Sequence, residues 1–290
     1  MVVARSPAVK NAVEEAALKL LRKCSTSLPG DVVAALRKAY ELEEGVAKVN
    51  IGLMIENAEL AEREAVPLCQ DTGFVLFYVG LGNGLACDLS SVEEGLRDAV
   101  GRATEEGLLR PNMAEPLSGK YLERNVGNGS PIVRYYGSEV PGLRITSLLK
   151  GAGSENCSYL HRLDPEGGLE GVVDLVVGDV AEAGAKPCPP VIVGIGIGGT
   201  SDRAMELSKL ALLRPLDERS EGFVGDLEGR VLDGVNSLGI GPMGLGGRCT
   251  ALGVRVETSA AHIASLYVGV NLQCWALRRA SACLDLELLR

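Results

Sequence analysis

The chain has 290 residues, enough for one large domain or two modest ones, and its 46% hydrophobic and 23% charged residues give a globular balance. Its 29 basic and 38 acidic residues leave a net charge of −9, which argues against a nucleic-acid or anionic-membrane footprint; a few local cations would still suffice to hold a small dianion. Aromatic residues make up only 4%, so the core must be mostly Leu, Val, Ile and Ala.

The first 21 residues carry charges throughout and lack the apolar run of an export signal, so a cytoplasmic chain is expected. Residues 6–64 read as helices. Ser6-Pro7 starts one, with Val13, Ala17, Leu20 and Leu21 at helical spacing; Pro29-Gly30 breaks it, and 32–42 and 46–61 continue in the same style. After Pro67 an apolar run over 74–81 reads as a strand ended by Gly82-Asn83-Gly84. A helix is predicted from Ser91 to about Glu106. Residues 110–137 are rich in Gly, Pro and Asn and read as a long loop, a kind of segment more often functional than idle.

Beyond it come a strand over 142–149, the glycine-rich Gly151-Ala152-Gly153-Ser154, and a helix from about Pro165 to Gly184. A strand-turn-helix unit over 191–213 follows, then a glycine-dense loop over 239–247 and a strand over 250–257. The longest uncharged stretch, 258–277, has the length of a membrane span, but it contains His262, Asn271, Gln273 and two serines, and a buried core segment is expected. No internal repeat stands out. The fold class is α/β, with a helical N-terminal part over about 1–64 and a mixed region whose Gly-rich loops surround a site; a single domain over 1–290 is expected.

Eight cysteines in a chain with no export signal read as thiols or metal ligands in preference to disulfides. Cys69, Cys188 and Cys274 sit in loop positions, the first two beside prolines that stop helix continuation and aim each sulfur in a defined direction. Cys24, Cys87 and Cys283 read as small buried hydrophobes, and Cys157 and Cys249 as possible alternates. No C-x-x-C pair occurs, which leaves a zinc ribbon, a thioredoxin motif and a ferredoxin run without support. Three separated loop thiols are compatible with a [4Fe–4S] cluster that keeps one iron free of protein ligands, although spacing alone does not select it.

Gly194, Gly196 and Gly199 match the G-x-G-x-x-G pattern of dinucleotide binding, with Asp217 and Glu218 downstream. The run before them is short and Cys188-Pro189-Pro190 stands where the strand should begin. A tight turn capped by Thr200 or Ser201 is the plainer reading. A nucleotide-binding oxidoreductase is therefore a distant alternative, and a structural subunit without a cluster is a third.

The strings PLCQDTG (67–73), KGAGSEN (150–156), KPCPPVIVGIGIGGTSDRAMELSK (186–209), NSLGIGPMGLGGRCTALGV (236–254) and HIASLYVGVNLQCWALRRA (262–280) resemble the class I (iron–sulfur) fumarase and L-tartrate dehydratase alpha-subunit family. The resemblance runs in order from about Leu42 to Ala280. It implies that Cys69, Cys188 and Cys274 hold a [4Fe–4S] cluster. It further implies that Gln70 and Asp71 face the substrate, that Arg110 grips a substrate carboxylate, that Gly151 and Gly153 let backbone N–H groups approach it, and that His262 contacts it. Asp71 would move a proton or orient the group that does. The implied reaction is fumarate hydration to malate, a tricarboxylic acid cycle step, or tartrate dehydration to oxaloacetate. Single-chain relatives continue into a further domain, so a separate beta subunit is expected to complete the site, in a dimer of alpha–beta pairs.

Overall fold

The computed structural model describes residues 6–83 and 85–285, so Gly84, expected to help end the first strand, lies outside the described residues, as do the chain's first five and last five positions. Contacts divide the chain into two compact units. One gathers Met1–Leu28, Ala58–Lys150 and Arg278–Arg290; the other gathers Pro29–Asn57 and Gly151–Leu277.

The N-terminal helices are α1 (Pro7–Thr26), α2 (Gly30–Leu42) and α3 (Gly45–Glu64). Ser6 caps α1, its hydroxyl accepting the Val9 N–H at 3.4 Å, with Pro7 in the first turn where no intrahelical donor is lost. The division between units falls inside α3, at Asn57 and Ala58.

The first unit carries β1 (Phe74–Gly82), α4 (Leu89–Glu105), β2 (Ile132–Ser138), β3 (Leu143–Lys150) and, from the far end of the chain, β8 (Arg278–Leu284). The sheet order is β2-β1-β3-β8, with β2 parallel to β1 and the other neighbours antiparallel. Alternate residues of β1, Val75, Phe77 and Val79, join Leu143, Ile145 and Leu149 of β3 in a core completed by Val13, Ala17 and Leu21 of α1 and Leu96, Ala99 and Val100 of α4. The helix expected from Ser91 starts earlier, because the Asp88 carboxylate accepts the N–H groups of Ser90 and Ser91 and so fixes the first turn at Leu89. The loop expected over 110–137 ends sooner than its composition suggests. Its last residues form β2, a sheet-edge strand whose Val133 and Tyr135 pack on the core while Arg134 and Tyr136 stay exposed.

The second unit carries β4 (Ser158–Leu163), α6 (Gly168–Ala183), β5 (Val191–Gly198), α7 (Ser201–Ala211), α8 (Gly222–Ser237), β6 (Ala251–Ser259) and β7 (Leu266–Gln273), with the one-turn helix α5 (Ala152–Glu155). Its sheet order is β4-β7-β5-β6, with β5 parallel to β6 and antiparallel to β7. One face is apolar: Val191, Val193 and Ile195 of β5 and Val268, Val270 and Leu272 of β7 pack with Val176 and Val180 of α6 and Leu227, Val231 and Val235 of α8. The other face is surfaced with glycine under α7. A Cβ on Gly194 would stand 2.1 Å from the Ser208 carbonyl, on Gly196 2.1 Å from that of Ala204, and on Gly269 2.6 Å from that of Ala204. Those three glycines let a helix lie on strands at a distance that no side chain permits. Two of them, Gly194 and Gly196, belong to the G-x-G-x-x-G pattern, and here they serve close helix–sheet packing. Thr200 stands at the N-cap position of α7, but its hydroxyl donates to the Asp202 carboxylate and caps no N–H.

Helix α8 and strands β4 and β8 were not predicted. Among the described residues no helix is long and apolar enough to cross a membrane; the uncharged stretch 258–277 is buried from Val268 to Gln273 within β7, but its first half, 258–267, is exposed or half-exposed, contrary to the expected buried segment.

Candidate functional site

In the first unit, the loop carrying Cys69, Gln70 and Asp71 follows α3 and leads into β1. The Leu68 N–H donates to the Ser25 carbonyl at 2.8 Å, and the Ser25 hydroxyl donates to the Leu108 carbonyl at 2.7 Å. A second strut lies two residues on: the Arg110 N–H donates to the hydroxyl of buried Thr72 at 3.0 Å. The Arg110 guanidinium then reaches over the loop, its Nη1 donating to the Gln70 carbonyl at 3.3 Å. Thus 40 residues of separation are closed, and Arg110 stands beside the Cys69-Gln70-Asp71 turn.

Arg110 is itself held by Asn125. This buried side chain accepts the N–H groups of Asn112 and Met113 at 3.0 and 3.1 Å and donates to the Arg110 carbonyl at 2.8 Å and to the Thr104 hydroxyl at 3.1 Å. Sequence reasoning missed Asn125. Its backbone adopts φ +61, which asparagine tolerates better than most residues, yet nothing in the local pattern marks a left-handed residue there. Asp71 is half-buried, and its Oδ1 accepts the Gly73 N–H at 3.0 Å. Gln70 and Arg110 are both exposed.

In the second unit, Cys188 lies between α6 and β5 in a left-handed backbone conformation, φ +56, unusual for a residue with a Cβ. Its side chain is exposed. The Trp275 N–H donates to the Cys188 carbonyl at 3.3 Å, bringing the segment of Cys274 to that of Cys188. The neighbouring Pro189 carbonyl accepts the Met243 N–H at 2.8 Å, so the glycine-dense loop closes on the same place. Gly153 is there too: a Cβ on it would meet the Lys186 carbonyl at 3.3 Å. Gly151 is buried, and its carbonyl takes the Ser154 hydroxyl and the Glu155 N–H, at 2.9 Å each.

His262 lies in the loop before β7, exposed, with its Nδ1 accepting the Ala264 N–H at 3.2 Å. That bond places the neutral ring's proton on Nε2. His262 is thus no core histidine. The other histidine, His161, is bonded through Nε2 to both oxygens of Asp179 at 3.0 Å, and burial pushes the Asp179 carboxyl up from its ordinary range.

The remaining thiols separate clearly. Cys24 and Cys249 are buried and their sulfurs face the carbonyls of Ser147 and Ala251; burial pushes each thiol up to about 12. Cys157 is buried as well, with its sulfur toward the Gly153 carbonyl. Cys87 is half-buried. Cys283, read from sequence as a buried hydrophobe, is exposed, because it sits on an outward position of the edge strand β8. No group of three His, Cys, Asp or Glu side chains among the described residues is placed to hold a metal ion, and the three loop thiols are divided two and one between the units. A cavity of about 430 Å³ between α2 and β6, walled in part by Lys38, Arg219 and Cys249, contains none of the residues that the resemblance assigns to the site.

These loops carry thiols, a carboxylate and an arginine, and the following family and relative matches make the chain a hydro-lyase. The chain belongs to the fumarate hydratase (Fumerase) family, whose model it matches over residues 14–283. It is 43% identical over 273 residues to a Methanocaldococcus jannaschii protein named putative L(+)-tartrate dehydratase subunit alpha, covering 92% of this chain and 96% of that one. It is 32% identical over 283 residues to the L(+)-tartrate dehydratase subunit alpha of Escherichia coli K12, covering 96% and 92%. Against a Geobacillus stearothermophilus protein named putative fumarate hydratase class I it is 32% identical over 282 residues, covering 93% of this chain and 54% of the relative. The chain therefore spans about half of that last relative and nearly all of the two alpha subunits.

Proposed function

We propose that this chain is the cytoplasmic alpha subunit of a two-component, [4Fe–4S]-dependent hydro-lyase that hydrates fumarate to malate. Its two units act together as one domain of the family type, a reading supported by a single family match over 14–283 that includes parts of both. The placement of Arg110 carries the reading: its guanidinium lies against the Gln70 carbonyl, next to Cys69 and Asp71, on a loop fixed by Thr72 and Asn125.

The donor set suits the cluster. Cys188 is exposed and Cys69 and Cys274 are half-exposed, all three in loops, whereas Cys24 and Cys249 are buried with thiols that keep their protons. Cys69, Cys188 and Cys274 would hold the cluster, each as a thiolate. When bound, it supplies a Lewis-acidic iron for the substrate oxygen.

The chain's own residues do the rest. Arg110 offers two parallel N–H donors to one carboxylate of the dianion, a match that a lysine does not make. Neutralising that carboxylate makes the proton on the adjacent carbon easier to remove. Asp71, anchored through Oδ1 to the Gly73 N–H, would orient the substrate or move that proton. His262 presents Nε2–H as a donor to the substrate, and Gly153 leaves room for close approach of backbone N–H groups. Gln70 contributes its amide beside Cys69.

A separate beta chain supplies the remaining substrate contacts, a reading supported by the alpha-subunit names of two relatives. A dimer of such pairs is the proposed assembly, without nucleic acid or membrane. The names of the relatives favour a second reading, L-tartrate dehydration to oxaloacetate. Anaerobic co-purification with a candidate beta chain, followed by assay on fumarate and on L-tartrate, tests both. Turnover of fumarate with the pair and little with either chain alone is expected. Faster turnover of tartrate selects the second reading, and no turnover of either overturns the proposal.

A further inference from the structure

The chain contains two glutamines, Gln70 and Gln273, and each is a sequence neighbour of a proposed ligand cysteine. Their amides meet the adjacent sulfurs with opposite polarity. Gln70 turns its Oε1 toward Cys69, 3.8 Å from the sulfur, whereas Gln273 turns its Nε2 toward Cys274, 3.3 Å from the sulfur.

The orientation of the Gln273 amide is fixed by chemistry. Nε2 also lies 3.1 Å from the Ala276 carbonyl, a group that only accepts hydrogen bonds. Reversing the amide would set two oxygens against each other, so the NH2 group faces inward, with one hydrogen for Ala276 and the second for the sulfur. Gln273 is fully buried, and its Oε1 has no hydrogen-bond partner. A buried amide with an orphaned oxygen destabilises the fold, and an apolar side chain of the same volume would avoid that cost. What such a side chain would lack is the pair of N–H donors.

We propose that Gln273 is a positioning residue that donates a hydrogen bond to the Cys274 sulfur and thereby tunes the bound cluster; this rests on the cluster assignment under Proposed function. As a thiol, Cys274 lies 3.7 Å from the Ala276 carbonyl and donates to it. As a ligand it has no proton left, that contact turns repulsive, and the Gln273 N–H stays as a donor to the sulfur. An N–H···S bond draws electron density from the thiolate and so favours the reduced cluster over the oxidised one, which raises the reduction potential.

The test uses the full chain, purified without oxygen and reconstituted with iron and sulfide. Gln273→Met keeps the volume and removes both donors. The expected result is an iron content equal to wild type, a midpoint potential more negative than wild type, and faster bleaching in air. An unchanged midpoint in a folded, iron-loaded Gln273→Met overturns the proposal. A second measurement stands if that variant fails to fold: in the reduced wild-type chain with 15N-labelled glutamine amides, hyperfine spectroscopy should show one glutamine nitrogen coupled to the cluster. No such coupling overturns the proposal. A wild-type chain that takes up no iron overturns the function proposed above together with this inference, a different outcome from an unshifted potential.

Discussion

The Trp275 N–H and the Cys188 carbonyl are hydrogen-bonded at 3.3 Å, although 87 residues separate them in the chain. Through that bond the end of β7 and the turn before β5 hold two of the three loop thiols in one place. Cys188 and Cys274 are accessible there, whereas Cys24 and Cys249 are buried with thiols pushed up to about 12. Thiolate is the reactive form, so a group raised that far stays protonated and inert at pH 8. In the cluster-free chain, an alkylating reagent followed by peptide mass analysis is expected to mark Cys188 and Cys283 first and to spare Cys24 and Cys249. Early labelling of Cys24 would show that α1 does not hold it against β3.

Arg110 tests the carboxylate grip. Replacement by Lys keeps the charge but loses the planar pair of donors, so one charge-assisted hydrogen bond of about 1.5–3 kcal/mol is lost. For the assembled enzyme this means a KM for the dicarboxylate raised about 10- to 100-fold with a smaller change in kcat. A fall in kcat at constant KM would remove Arg110 from substrate binding.

Gly196 separates the packing role of the glycine pattern from a nucleotide site. A Cβ there would stand 2.1 Å from the Ala204 carbonyl, so α7 must move off the sheet. Gly196→Ala is expected to destabilise the chain by about 3 kcal/mol in chemical unfolding, as overpacking does. Wild-type chain is expected to show no NAD(P) binding by calorimetry; tight binding would revive the oxidoreductase reading.

What the sequence made legible was what repeats or interrupts. The helices α1, α2 and α3 show an apolar face and proline or glycine breaks, β1 and β5 are uncharged runs between turns, and β3 and β6 are apolar runs interrupted by two charged residues each. The missed elements lack those marks. Helix α8 carries Gly222, Gly225, Gly229 and Gly234, which dilute its Leu227, Val231 and Val235 stripe. Strand β8 follows a cysteine loop without a turn signal and finds its partner β3 between 129 and 141 residues back, a pairing that no local pattern encodes. Of the proposed site, Cys69, Cys188, Cys274, Gln70, Asp71 and Arg110 stand in motifs that the sequence displays. Asn125 and Gln273 were not legible as site residues, because each works through long-range or side-chain hydrogen bonds that appear only after folding.

Asp88 gives a pH-dependent element of stability. Hydrogen bonds from the hydroxyls and N–H groups of Ser90 and Ser91 hold its carboxyl down at about 2, below the unfolded value of about 3.9. The folded state thus favours the carboxylate. Its contribution is complete above about pH 4 and fades as pH falls toward 2. Asp88→Asn is expected to lower the melting temperature at pH 7 and to narrow its gap from wild type near pH 2. A gap of constant size across that window would show that the charge does not matter to the cap.

The central claim is that Cys69, Cys188 and Cys274 hold one [4Fe–4S] cluster, and it is tested most directly by iron and sulfide analysis with visible spectra of anaerobically purified single variants. Wild type and Cys24→Ser are expected to be brown with roughly four irons per chain, and Cys69→Ser, Cys188→Ser and Cys274→Ser to be colourless or depleted. A colourless wild type, or a full complement of iron in any of those three serine variants, would contradict the account.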